Sequence, residues 1–189
     1  MKVEIESEHL NGLVVLSHKD VFEDERGFFM EVFRHDVFER LGLPTRFVQD
    51  NHSRSKKGVI RGLHFQWNPQ MGKLMRVTVG SAYLVAVDIR KRSPSVARWF
   101  GIEVSARNKK QVYAPAGFAR GFCVLSEYAE VQYKATAIYN GNGESGILWN
   151  DAALGIEWPI KYPLVSEKDR NAKTLAEWLA TPESDHLQF

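Results

Sequence analysis

The chain has 189 residues, 44% of them hydrophobic, which is enough for one sizeable core, so a single domain is expected. Its 25 basic and 23 acidic residues leave a formal net charge of +2, and without a long basic run this argues against a nucleic-acid binder. The first twelve residues lack the apolar stretch of a signal peptide, no segment approaches the ~18 apolar residues of a membrane span, and the lone Cys123 cannot form an intrachain disulfide; together these point to the cytoplasm.

Short runs rich in Val, Ile, Phe and Tyr, divided by Gly, Asn, Ser or Pro, predict strands at 13–17, 27–33, 46–52 and 58–66. Further strands are predicted at 74–80, 82–89, 98–105, 111–118, 121–126, 129–136 and 146–151. A helix is expected at 35–42, closed by Gly42, and a second from Ser166 through KDRNAKTLAEWLA. Strands recurring every eight to twelve residues or so suggest an all-β sandwich or barrel. Cys123, in GFCVLS, reads as a buried core thiol, and GNGESG (141–146) as a turn, since no phosphate-loop lysine follows it.

Successive strand residues point to opposite faces, so alternation sorts side chains. Lys73 shares a face with Met75 and Val77, Tyr133 with Val131 and Ala135, and Glu31 with Phe29 and Phe33. Each places one polar group on an apolar face, where a charge is costly unless paired. Taken singly, these read as a snorkelling lysine, a packed tyrosine and a structural ion-pair partner; their coincidence suggests a polar pocket inside the β fold. Arg61 and His64, in RGLHFQ, have opposite parity, and a bulge at Gly62 would re-aim one of them.

Of the six histidines only His64 lies in a strand core with other pocket candidates, and two residues on stands Gln66, so a metal site is not expected. No G-x-S-x-G occurs and Cys123 has no nearby histidine, which leaves acid–base chemistry as the best fit. His64 would accept a proton, Tyr133 supply one and Lys73 stabilise an oxyanion.

The stretches DERGFFMEVF (24–33), FVQDNHSRSKKGVIRGLHFQ (47–66), GKLMRVTVG (72–80), VAVDIRKRSP (85–94), APAGFARGFCVLSEYAEVQYKAT (114–136) and GILWNDAALGIEWP (146–159) resemble the dTDP-4-dehydrorhamnose 3,5-epimerase family. The resemblance implies a cupin-type jelly roll, a homodimer, no metal or organic cofactor, and a nucleotide-linked 4-keto-6-deoxyhexose as substrate. It implies that His64 removes the proton beside the ketone, Asp169 orients His64, Tyr133 reprotonates from the other face and Lys73 stabilises the enolate oxygen. Arg26, Phe29, Glu31, Gln49, Asn51, Arg61, Glu144 and Lys168 match substrate-contact positions, Arg61 suiting a diphosphate. Asp169 has a rival role within a helix-start cap with Ser166. The chain departs from the family at GFARGF, where Arg120 replaces a histidine. Arg120 would add a phosphate or ketone contact, restrict inversion to a single centre, or point outward as a neutral swap. A sugar 3,4-ketoisomerase and a non-catalytic carbohydrate-binding cupin are the alternative functions.

Overall fold

The computed structural model describes residues 2–189, arranged mainly as two antiparallel sheets. The first sheet runs β1 (Val3–His9), β2 (Leu13–His18), β10 (Gln111–Ala114), β7 (Lys73–Val79), β12 (Tyr128–Ala135), β5 (Gln49–Lys56). The second runs β13 (Glu144–Gly146), β6 (Val59–Gln66), β11 (Phe118–Val124), β8 (Ser81–Asp88), β9 (Trp99–Ser105), with β14 (Leu164–Val165) parallel to β6. A separate hairpin pairs β3 (Phe22–Asp24) with β4 (Gly27–Phe29). The helices are short: α1 (His35–Arg40), α2 (Glu167–Arg170) and α3 (Leu175–Leu179).

Alternation divides the apolar side chains into three layers. Met75, Val77 and Val131 of the first sheet meet Leu84, Phe118 and Phe122 of the second between the sheets. The outer face of the second sheet offers Leu63, Phe65 and Val85, covered by Ile147, Leu175, Trp178 and Leu187. The outer face of the first sheet offers Leu16 and Leu74, covered by Val37 and Phe38 of α1. Cys123 is fully buried, as expected, and burial pushes its thiol up to about 11.

The bulge in β6 is present. Phe122 pairs with Arg61 and Arg120 with His64, so β6 spends one residue more than β11 between the two pairs. That extra residue places Arg61 and His64 on the same face. Gly62 is required there: its φ is +121°, and a Cβ would lie 2.6 Å from Gly121 Cα and 2.7 Å from the Arg120 carbonyl oxygen. Gly62→Ala is expected to cost about 3 kcal/mol, read as a lowered urea midpoint; an unchanged midpoint would show that the backbone can open here.

Several expected elements differ. Only Gly27–Phe29 of the 27–33 run is a strand, because Met30–Arg34 leaves the ladder, Val32 giving its carbonyl to Gln111 Nε2 (3.0 Å) and Phe33 packing on Phe38. The long C-terminal helix is instead two short ones, since the segment holds two start signals: Ser166 caps α2, and Thr174 with Glu177 forms a complete capping box for α3. Residues 147–151 turn away after β13, and β1 is a strand that the reading did not include.

Candidate active site

Leu63 and Phe65 pack outward beneath Trp178, so His64 between them points into the space between the sheets. Leu74 likewise faces outward, leaving Lys73 and Met75 inward, and Val131 shares the inward face of β12 with Tyr133. Ala119 faces outward and Phe118 and Phe122 inward, which turns Arg120 inward too. The base candidate, the acid candidate and the lysine thus come from three strands of two sheets and face one interior.

His64 Nε2 lies 2.6 Å from Asp169 Oδ1, although 105 residues separate them in sequence. The Gly62 backbone N–H donates to Asp169 Oδ2 (3.3 Å). Burial alone would raise the Asp169 pKa, but the hydrogen bond from His64 and its charge, then the donors Gly62 and Ser166, outweigh it and hold the carboxyl below its ordinary value. An ionised carboxylate accepts, so Nε2 carries the ring proton and Nδ1 keeps the lone pair that can take another. Asp169 makes both contacts at once: its backbone N–H donates to Ser166 Oγ (3.1 Å) as part of the cap, while its carboxylate accepts from His64.

Lys73 does not snorkel to the surface. Its Nζ stands 4.4 Å from the centre of the Tyr133 ring. Burial first, then the nearby charge of Arg120, pull its pKa from the ordinary 10.5 to about 7, with Glu144 opposing. Tyr133 accepts a hydrogen bond from Asn51 Nδ2 (2.6 Å), which leaves the phenolic proton free to be given elsewhere. Asn51 is in turn held by Gln49 Nε2 (2.9 Å).

A family model described as dTDP-4-dehydrorhamnose 3,5-epimerase matches residues 7–177. The chain belongs to this family. It is 53% identical over 171 residues to the dTDP-4-dehydrorhamnose 3,5-epimerase of Salmonella typhimurium, covering 89% of this chain and 93% of that one. To the Shigella flexneri enzyme of the same name it is 52% identical over 166 residues, covering 87% and 92%. The Legionella pneumophila dTDP-6-deoxy-D-glucose-3,5-epimerase, solved in complex with dTDP-4-keto-L-rhamnose, superposes with a TM-score of 0.91 at 43% identity and 97% coverage of both chains. A more distant relative is the dTDP-4-dehydrorhamnose 3-epimerase of Streptomyces niveus, 36% identical over 82% of this chain and 75% of its own. The protein is an epimerase, hence an isomerase, and its two sheets form the cupin-type β fold of these structures.

In the epimerase, Glu144 on β13 lies beside the strand of His64. Its Oε2 accepts from Lys168 Nζ (2.6 Å) and from the Tyr139 hydroxyl (3.1 Å). Burial would raise the Glu144 pKa, but the Lys168 bond and charge and then His64 lower it, so this carboxylate stays ionised near the dyad. Tyr139 escaped the sequence reading. It lies outside any strand, and its backbone N–H is fixed by Gln49 Oε1 (2.8 Å), a contact with no sequence signal. Gln66 was noted only as a missing ligand. It organises the same loop, its amide donating to the carbonyls of Pro69 (2.8 Å) and Ile138 (3.0 Å) and accepting from the Asn140 N–H (2.8 Å). Among the described residues no three His, Cys, Asp or Glu converge.

Not every predicted contact lies here. Arg61 is exposed, its Nε held by Ser55 Oγ (2.9 Å), on the same inward face as His64. Arg26 and Phe29 sit on the exposed β3–β4 hairpin, where the Arg26 guanidinium is bound to Asp24 (2.5 Å), so this chain alone does not bring them to His64. Glu31 is not on a strand, so the alternation argument for it fails; it pairs with Arg34 (3.4 Å). A concavity of about 310 Å³ opens beside the first sheet, lined by Val32, His52, Arg76, Gln132 and Lys134 and also by Asn51 and Tyr133. It holds no counterpart of the His64–Asp169 pair, so acid–base chemistry, not enclosed volume, marks the site.

Proposed function

We propose that the epimerase acts, without metal or organic cofactor, on a dTDP-linked 4-keto-6-deoxyhexose and inverts C3 and C5. The observation that carries this is the His64–Asp169 bond, with Lys73 stacked on Tyr133 across the same interior. The ketone at C4 acidifies the hydrogens on both neighbouring carbons. His64 Nδ1 takes one of them, and the ionised Asp169 supports the imidazolium that forms. Charge moves to the C4 oxygen, which Lys73 meets as an enolate. Tyr133 gives a proton from the opposite side; once His64 has released the proton it took to water and the Tyr133 phenolate has regained one from water, repetition at the second carbon completes the reaction. Gln49, Asn51, Glu144 and Lys168 hold the sugar, while Arg61 at the open end of the face grips the diphosphate.

The reading includes one domain, a homodimer and a cytoplasmic setting. The hairpin supports the dimer: Phe22, Phe28 and Phe29 are 64%, 60% and 66% exposed, more aromatic surface than a monomer usually leaves uncovered. The substrate roles matched to Arg26 and Phe29 then require the second subunit. No helix is long and apolar enough to cross a membrane among the described residues.

Turnover in heavy water tests the reaction. Deuterium at both C3 and C5 of the product is expected. Label at one carbon would make the protein a mono-epimerase, a keto group moved to C3 would make it a ketoisomerase, and binding with no label at all would leave a carbohydrate-binding module.

A further inference from the structure

Arg120 is 4% exposed, and its charge faces no carboxylate at ion-pair distance among the described residues. Its Nη2 donates to the Met71 carbonyl (3.0 Å) and its Nη1 to that of Ala114 (3.4 Å), while Nε is buried without a partner. Both acceptors belong to the frame of Lys73: Met71 precedes it by two residues, and Ala114 is its cross-strand partner. Arg120 is itself the cross-strand partner of His64. One buried guanidinium therefore bridges the strand of the base and the strand of the lysine.

We propose that Arg120 is a positioning residue for proton transfer: through the Met71 and Ala114 carbonyls it fastens the start of β7 and the partner of Lys73 on β10, and it carries its charge into the interior that Lys73 and Tyr133 face. The proposal rests on the epimerase reading above and adds a reason for the lysine's reactivity. Burial lowers the Arg120 pKa to about 10, with Tyr113 and Tyr133 opposing, so it remains charged at neutral pH. The groups around it are His64 on β6, Lys73 on β7, Tyr113 on β10, Tyr133 on β12 and, through Lys73, Glu144 on β13. Of these, Lys73 is brought to about 7, where a small change in local charge decides whether it is an ammonium. A second cation beside it drives the lysine toward giving up its proton, and an enolate forming at the C4 oxygen reverses that balance. The lysine is thus poised to bind the charge only when the charge appears, which lowers the barrier without tightening the ground state.

Two readings on R120M and R120K test this. In the free protein, the ¹³Cε signal of Lys73, assigned by its loss in K73M, is followed against pH. With substrate, kcat and KM are followed over the same range. R120M is expected to move the Lys73 midpoint upward, to move the alkaline limb of kcat upward with it, and to lower kcat about tenfold with KM changed less than about twofold. R120K, which keeps the charge, is expected to retain the wild-type midpoint. An unmoved midpoint in R120M overturns the charge coupling, and a moved midpoint with unchanged kcat overturns the catalytic part. If R120M does not fold, R120Q carries the same two readings. Failure of the wild type to turn over the nucleotide sugar would sink the epimerase reading, while the Lys73 titration, which needs no substrate, would still decide the role of Arg120.

Discussion

His64→Asn is expected to abolish deuterium uptake from heavy water, with a fall of about 10²–10⁴ in the exchange rate. Asparagine places an amide in part of the space of the ring, and although it is too short to reproduce the bond from Nε2, the Gly62 N–H still donates to the buried Asp169 carboxylate. What disappears is the nitrogen lone pair, since an amide does not accept a proton near neutral pH. Loss of exchange with an unchanged melting temperature and unchanged dTDP binding is therefore the result that separates chemistry from folding. Exchange kept within tenfold of wild type would remove His64 from the role of base. It would also leave the 2.6 Å contact with Asp169 as a purely structural bond.

Tyr133→Phe is expected to separate exchange from inversion. The phenyl ring keeps its place beneath Lys73, 4.4 Å from Nζ, so packing is retained, while the hydroxyl that accepts from Asn51 is lost. His64 can still remove a proton and return a deuteron to the face it came from. Labelled but uninverted sugar should accumulate, with epimer formation reduced by about 10²–10³. NMR of the recovered sugar reads label and configuration together. Inverted product at a near wild-type rate would assign the second proton to another group, with Tyr139 next in line because it already contacts Glu144.

How much of this was legible in the sequence depended on how local each signal is. Period-two alternation placed Lys73 and Tyr133 on inward faces correctly, because both strands have an apolar side that must be buried. Gly62 between Arg61 and His64 marked the bulge, since little else makes a chain place glycine within an apolar strand. The same rule failed at Glu31, where three phenylalanines imitate a strand, but Phe28 and Phe29 lie on the hairpin while Phe33 packs on Phe38 of α1 and on Phe47. The C-terminal helix failed for the opposite reason. A helical period runs through the segment, but the Thr174–Glu177 box within it starts a second helix. The His64–Asp169 pairing was out of reach of local patterns and came only through resemblance. So did Gln49 and Glu144, which meet through Tyr139 in a loop without periodicity. Arg120 was flagged as a departure with three open outcomes. The outward swap does not hold, because Arg120 is buried with its guanidinium bonded to the Met71 and Ala114 carbonyls, while its neighbour Ala119 packs on the outer face beneath the cover that includes Trp178.

That cover also has a bearing on how the molecule is made. A ribosome releases the amino end first, so β6, β7 and β12 emerge with their base, lysine and phenol well before residues 166–187. Until that late stretch arrives, Phe65 and Leu63 have only part of their cover, from Ile147, and the imidazole has no carboxylate, because Asp169, Leu175, Trp178 and Leu187 all come from it. A nascent chain would therefore expose a greasy patch on the back of the His64 strand, and the stretch that completes its cover also delivers the carboxylate that meets His64.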